Sequence, residues 1–256
     1  MIGSTFSNNE GDDGGAINND PVGTLNMTGS TFSGNQALFG GGAISNFGSS
    51  TVINNTFADN SVLPGFGGAG GAIFNANETL AVINSTFADN SAPSGGAIDN
   101  SNAGNATIDN SLIVYGLSGE GCAGVVLGAN NLEFPGPLAT CGTNTIVTTS
   151  NPLGSNTLAD NGGPTQTIAL PAGSPAINAA SNCPPVITDQ RGVRRPQGAA
   201  CDIGAFELQQ QPSPPPPTPP PVVSPTPTPA PPMEHKKHKK KQHKKKGKGG
   251  GGISQR

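Results

Sequence analysis

Tryptophan is absent from this 256-residue chain, tyrosine occurs once, and aromatic residues make up only 4% of it. Hydrophobic residues reach 33%, close to the level at which a chain no longer buries enough apolar surface to offset the entropy of ordering. No lysine or arginine precedes Arg191, so the first 190 residues make a poor nucleic-acid surface and a poor phosphate site. No apolar run approaches the roughly 18–20 residues of a membrane span. No basic-led apolar segment opens the chain, so no signal peptide is visible. Residues that favour helix are few, and helical spacing is hard to find.

The formal net charge of −3 conceals a division. Up to residue 232, three arginines face fifteen acids, a net of about −12. From 233 to 256, nine lysines and Arg256 face Glu234, a net of about +9. The chain is an acidic body with a basic tail.

A thin composition can still fold when one small unit stacks on itself. Gly-Gly-Ala-Ile occurs at Gly14–Ile17, Gly41–Ile44, Gly70–Ile73 and Gly95–Ile98, in steps of 27, 29 and 25 residues. Alternating with it, Ser/Asn-Thr-Phe-x-x-Asn occurs at Ser4–Asn9, Ser30–Asn35, Asn55–Asn60 and Ser85–Asn90, with a degenerate copy at Asn110–Ile113. The columns are chemically uniform. Phe6, Phe32, Phe57, Phe87 and Ile113 share one position. Ile17, Ile44, Ile73 and Ile98 share a second, and Met27, Val52, Val82 and Ile108 a third. Asparagine recurs three residues after Phe (Asn9, Asn35, Asn60, Asn90) and two after Ile (Asn19, Asn46, Asn75, Asn100).

A period of 25–30 residues with two or three short β segments suits one coil of a parallel β-solenoid. Coils stacked at about 4.8 Å place identical residues above one another. The Phe and Ile columns then pack inside, asparagines form hydrogen-bonded ladders at the turns, and the Gly pairs serve corners. Helical arrays are excluded by the lack of helix formers. The calcium-binding nonapeptide solenoid is excluded because no Asp follows the Gly-rich turn.

The alternating blocks over roughly residues 1–115 resemble the repeats of the chlamydial polymorphic outer-membrane proteins. The following region resembles the C-terminal block of bacterial choice-of-anchor Q proteins. The matching residues are Asn151–Leu153, Leu158–Thr165, Gly173–Asn178, Thr188–Gly192, Arg195-Pro196 and Cys201–Glu207. The resemblance implies an all-β, right-handed parallel β-helix of pectin-lyase-like shape, exported to the cell surface, outer membrane or medium, with no known catalytic residue. The chain opens inside a coil, because Met1–Phe6 aligns with Met27–Phe32. A truncated start or an internal Met is therefore expected, and the missing export signal is uninformative.

Four segments follow. Residues 1–118 form about four repeat coils. Residues 119–208 are expected to form final coils and a C-terminal cap, with strand-like pieces at Gly124–Leu127, Thr145–Thr149 and Thr165–Leu170. Residues 209–232, with thirteen prolines from Pro212 to Pro232, read as a polyproline II spacer reaching roughly 65 Å. Residues 233–256 read as a disordered basic tail.

Cys122, Cys141, Cys183 and Cys201 have spacings of 19 and 18 that suggest two local disulfides, although four cysteines allow three pairings. Zinc spacing is absent. Asp59 and Asp89 share the position two after Phe, and Asp99 and Asp109 follow nearby. Carboxylate pairs serve β-helix glycosidases, ~6.5–9.5 Å apart for inversion. Earlier copies carry Asn8 and Gly34 there, however, so the column reads as a polar turn. Glu10, Asp12 and Asp13 read as an acidic loop with at most weak Ca²⁺ affinity. Arg191, Arg194 and Arg195 are the only basic residues of the body, and Arg191 is expected to pair with Asp189 or Asp202. Sequons at Asn26, Asn54, Asn77, Asn84 and Asn105 follow from composition. No catalytic residue, metal or cofactor is assigned.

The expected role is a non-catalytic secreted or cell-surface structural or adhesion module, whose partner is an anionic cell-envelope polymer or a host or extracellular glycan. The rival reading is a carbohydrate-active enzyme with its catalytic coils upstream. The candidate anchor is Lys236, Lys237, Lys239, Lys240, Lys241, Lys244, Lys245, Lys246 and Lys248, which would bind by charge without reading nucleic-acid sequence. His235, His238 and His243 would add charge below about pH 6.5.

Overall fold

A computed structural model describes residues 1–209 apart from 77, 103, 117, 136–139, 182, 184 and 185. The tail lysines and histidines, the spacer after Gln209 and the sequon at Asn77 lie outside the described residues. The described chain has no helix and twenty short strands, and every pairing between strands is parallel. It is a parallel β-solenoid.

Four sheets run along it. The first joins β1 (Thr5–Ser7), β5 (Thr31–Ser33), β9 (Thr56–Ala58), β13 (Thr86–Ala88), β16 (Leu112–Val114), β19 (Leu132–Phe134) and β20 (Ile146–Val147) in that order. The second joins β4 (Thr24–Thr28), β8 (Ser49–Ile53), β12 (Thr79–Ile83), β15 (Asn105–Asp109) and β18 (Val126–Leu127). The third joins β3 (Ile17–Asn19), β7 (Ile44–Asn46), β11 (Ile73–Asn75), β14 (Ile98–Asn100) and β17 (Cys122–Gly124). The fourth is shorter: β2 (Glu10–Asp13), β6 (Gln36–Gly40) and β10 (Ser61–Val62).

Register follows the repeat. Phe6 pairs with Phe32, Phe57 with Phe87, and Phe87 with Ile113. The four rings stack nearly parallel inside, with centroids 4.7, 4.8 and 4.9 Å apart. The column of Met27, Val52, Val82 and Ile108 and the column of Ile44, Ile73 and Ile98 close the core around them.

The corners explain the Gly, Asn and Asp content. Asn54, Asn84 and Asn110 have φ of 53°, 47° and 49°, and Gly29 stands at 66° in the same column. Asn8, Gly34, Asp59 and Asp89 form another left-handed column, at 54°, 62°, 56° and 54°. These are the residue types that tolerate the left-handed region best. At the Gly-Gly corner a side chain has no room, since a Cβ on Gly41 would lie 2.0 Å from the Ile44 carbonyl oxygen.

Both expected asparagine ladders are present. Asn9 Nδ2 donates to Asn35 Oδ1, Asn35 to Asn60 and Asn60 to Asn90, each at 2.8 Å. Asn19, Asn46, Asn75 and Asn100 repeat the arrangement at 2.7 Å. A third ladder was not foreseen. The backbone N–H of Ser4, Ser30, Asn55, Ser85 and Ser111 donates in turn to the side-chain oxygen of the residue one coil on, ending at Asn131. Ser and Asn interchange there because either supplies one acceptor.

The Asn60 side chain makes four bonds: its Oδ1 accepts from Asn35 N and Nδ2, and its Nδ2 donates to Asn90 and to the Phe32 carbonyl. Asn60→Ala removes all four and leaves the buried Asn35 N–H without its acceptor, while Asn90 Oδ1 keeps its bond from the residue 60 N–H and Asn35 Nδ2 its bond to the Phe6 carbonyl; a buried group left unpaired costs about 1–3 kcal/mol. A loss of about 3–4 kcal/mol in chemical denaturation is expected. A loss under ~1 kcal/mol would mean that water replaces the side chain.

The part expected as final coils and a cap divides in two. Residues up to Val147 continue the solenoid through β17 to β20. From Asn151 to Leu208 the chain stops coiling and packs along the outer face of the seven-stranded sheet. Ala58, Ala88, Leu112, Val114 and Leu132 meet Leu153, Ile168, Leu170, Ile203 and Phe206 in a second core. Thr165–Leu170 is not a strand; its one bridge is Thr167 with Ala159. This segment is a side strap that covers the coils laterally and reaches back to the first ones, where Thr165 Oγ1 donates to the Gly29 carbonyl.

Candidate functional site

The repeat sets Asp59 and Asp89 on adjacent coils, and Asp59 N donates to the carbonyl of Ala88, the residue before Asp89. The two carboxylates line a groove of about 570 Å³ between the solenoid and the strap, with Asn151, Ser155, Asn156 and Thr157 on the far side. Asn156 Nδ2 donates to Asp89 at 2.8 Å. Partial desolvation, and secondly the charge of Asp89, push Asp59 above its ordinary value of 3.8. The other expected acids are elsewhere. Asp99 is buried in the third sheet and accepts from Ser94, Ser101 N and Ser101 Oγ. Asp109 accepts from Ala129 N. The structure thus unites one pair of the four. No group of three or more His, Cys, Asp or Glu able to hold a metal ion occurs among the described residues.

Glu10, Asp12 and Asp13 correct the expected acidic loop. They belong to strand β2, paired to β6 with an irregularity between Gly11 and Asp13. Strand alternation points Glu10 and Asp12 outward on one face, where both are exposed.

The arginines lie in the strap. Arg191 pairs with Asp189 at 2.7 Å, as expected, and its guanidinium carbon sits 3.6 Å above the centre of the Phe206 ring. Arg195 is fully buried and pairs with Glu207 at 2.9 Å, a partner the sequence did not suggest. Arg195 also donates to the Asp202 and Gly204 carbonyls. Asp202 accepts from Asn178 N and Leu208 N, and Glu207 from Gln197 N and Asp202 N. Burial pushes both carboxyls up, against these hydrogen bonds and Arg195. Arg194 is exposed.

The cysteines pair as the spacing suggested, Cys122 with Cys141 and Cys183 with Cys201. The first pair lies in the solenoid core rather than in a cap. Beside it sits a residue that sequence reading missed. Glu133 occupies the inward Phe column, opposite Ile113, and is wholly buried. It accepts from Thr140 N, Cys141 N and Thr140 Oγ1. Desolvation pushes it above its ordinary value of 4.5, with those three bonds opposing. Its single signal is an acid where the column demands an apolar residue.

A raised folded-state value means that the native state binds the proton more tightly. The contribution of Glu133 to stability is therefore fully present below about pH 4.5 and is lost as pH rises through the raised value. Glu133→Gln is expected to flatten that slope in denaturation measured from pH 4 to 8; identical slopes for the two proteins would exclude it.

No helix is long and apolar enough to cross a membrane among the described residues. The chain matches no protein-family model, and no curated protein and no solved structure is similar to it.

Proposed function

We propose that this chain is a non-catalytic β-helix module of the secreted or cell-surface kind, structural or adhesive in role, attached to an anionic envelope polymer by its basic tail. The observation that carries this reading is where the charges go. Each buried charged side chain among the described residues is held by backbone groups, a hydroxyl or an opposite charge. The Asp59–Asp89 pair stands in a corner column whose other members are Asn8 and Gly34, so left-handed backbone geometry explains its residue types. Two disulfides fit an extracellular location. The resemblance of Asn151–Glu207 to the choice-of-anchor Q block supports export. Nine lysines within thirteen residues bind anionic polymers through counterion release.

The rival, a carbohydrate-active enzyme, draws on the groove that holds Asp59 and Asp89. The test has two arms. Purified protein is expected to release no reducing ends from pectin, alginate or related polymers. Release abolished by Asp59→Asn or Asp89→Asn would overturn the non-catalytic reading. Full-length protein is expected to be retained on cell-wall or lipopolysaccharide preparations and to elute as salt rises, while a 1–232 truncation washes through. Equal retention of both, or retention indifferent to salt, would overturn the anchor.

A further inference from the structure

Most polar and apolar positions of the solenoid are explained by the repeat. The fourth sheet carries residues that are not. Between β10 and Ala69 the third coil inserts Leu63-Pro64-Gly65-Phe66-Gly67-Gly68, within the longest of the Gly-Gly-Ala-Ile steps. This loop folds back on the end of β6: Leu63 N donates to the Ala37 carbonyl and Ala69 N to the Phe39 carbonyl. It brings Phe66 edge-to-face onto Phe39, with centroids 6.2 Å apart at 85°. Both rings face solvent, at 51% and 59% exposure. Phe39 stands two residues before the Gly-Gly corner, where the other coils carry Asp12, Gly68 and Pro93, so the repeat does not require an aromatic ring there.

Strand β6, whose Phe39 follows Leu38, also borders a groove of about 270 Å³, lined by Glu10, Asp12, Gln36, Leu38 and Leu63. It joins two exposed carboxylates to an apolar wall and has no basic residue among its lining. We propose that this face binds a basic, apolar polypeptide segment: a lysine or arginine side chain on Glu10 and Asp12, with its aliphatic stem or apolar neighbours on Leu38, Leu63, Phe39 and Phe66. Charge complementarity selects this occupant. The coils contain no lysine or arginine, so their field attracts cations and repels uronates, phosphates and other anions. A cation that keeps an apolar body gains from both walls and from the ring faces. The proposal rests on the reading of the chain as a binding module, and gives that module a protein partner.

The probe is a synthetic peptide of alternating lysine and leucine, titrated against the full-length protein by calorimetry or fluorescence anisotropy. Phe39→Ser and Phe66→Ser are each expected to weaken binding about tenfold without moving the Tm. Glu10→Gln with Asp12→Asn is expected to weaken it similarly and to flatten its salt dependence. If a Phe variant fails to fold, the carboxylate pair still decides. Asp160→Asn, on the strap, is expected to leave binding unchanged. An equal loss in Asp160→Asn would mean diffuse attraction to an acidic body and would overturn the site. Binding that survives the Phe and the carboxylate variants would also overturn it. So would a neutral oligosaccharide that binds in a Phe39-dependent manner when the peptide does not. Unchanged retention on envelope polymers alongside a failed peptide titration would sink this proposal and leave the anchored-module reading standing.

Discussion

Removing both disulfides is expected to lower the stability of the body by about 6 kcal/mol, roughly 3 kcal/mol for each loop of 19 and 18 residues in the chain-entropy model. The two bridges act at different places. Cys122–Cys141 crosses between the last coils, inside the main core and next to the buried Glu133. Cys183–Cys201 closes the strap on itself, with Cys201 buried in the second core. Cys122→Ala with Cys141→Ala should therefore weaken the end of the solenoid, and Cys183→Ala with Cys201→Ala the docking of the strap. Denaturant titration of each pair variant, with non-reducing mass spectrometry of the parent, checks this. Four alkylatable thiols in natively folded, exported protein, or midpoints unchanged in both variants, would refute it.

Arg195→Met is expected to cost about 3–5 kcal/mol, because it leaves the Glu207 carboxylate buried without its countercharge and the Asp202 and Gly204 carbonyls without their donor. Burial already pushes Glu207 upward, and loss of Arg195 pushes it further. The variant should gain stability on acidification relative to the parent, since a protonated Glu207 no longer needs the guanidinium. Arg194→Met, at an exposed position in the same turn, is expected to change stability by less than about 0.5 kcal/mol. Comparable losses at the two positions would show that the strap does not depend on the buried pair. The strap covers Thr31, Thr56 and Thr86 along the seven-stranded sheet. Its release would expose those strands, so the Arg195 variant should also become sensitive to proteases within 151–208.

How much of this was legible beforehand depended on periodicity. The Phe6–Phe32–Phe57–Phe87 stack, the Ile and Val columns and the two asparagine ladders recur at fixed offsets, so stacking alone predicted their contacts. Corner residues were legible too, because Asn, Asp and Gly share a tolerance for left-handed backbone. The Ser–Asn ladder was harder to see, since one acceptor can come from two side chains. Glu133 hid because the last coil is degenerate: without a Thr-Phe block around it, nothing in the sequence showed that this acid falls in the inward Phe column.

By itself, then, the sequence determined an all-β parallel solenoid, its inward columns, its ladders and the spacing that favours two local disulfides. The tertiary structure decided what lies on the outside. Gln190 donates to Thr31 and accepts from Thr56, 159 and 134 residues away. Ala205 N donates to Thr86. The outward threonines of the seven-stranded sheet look in sequence like those of any solvated strand, and nothing local marks them as covered. The strap is not periodic, so its partners on the coils are fixed by shape, apolar packing and hydrogen bonds across more than a hundred residues. Those interactions exist only once the coils have assembled the surface that receives it.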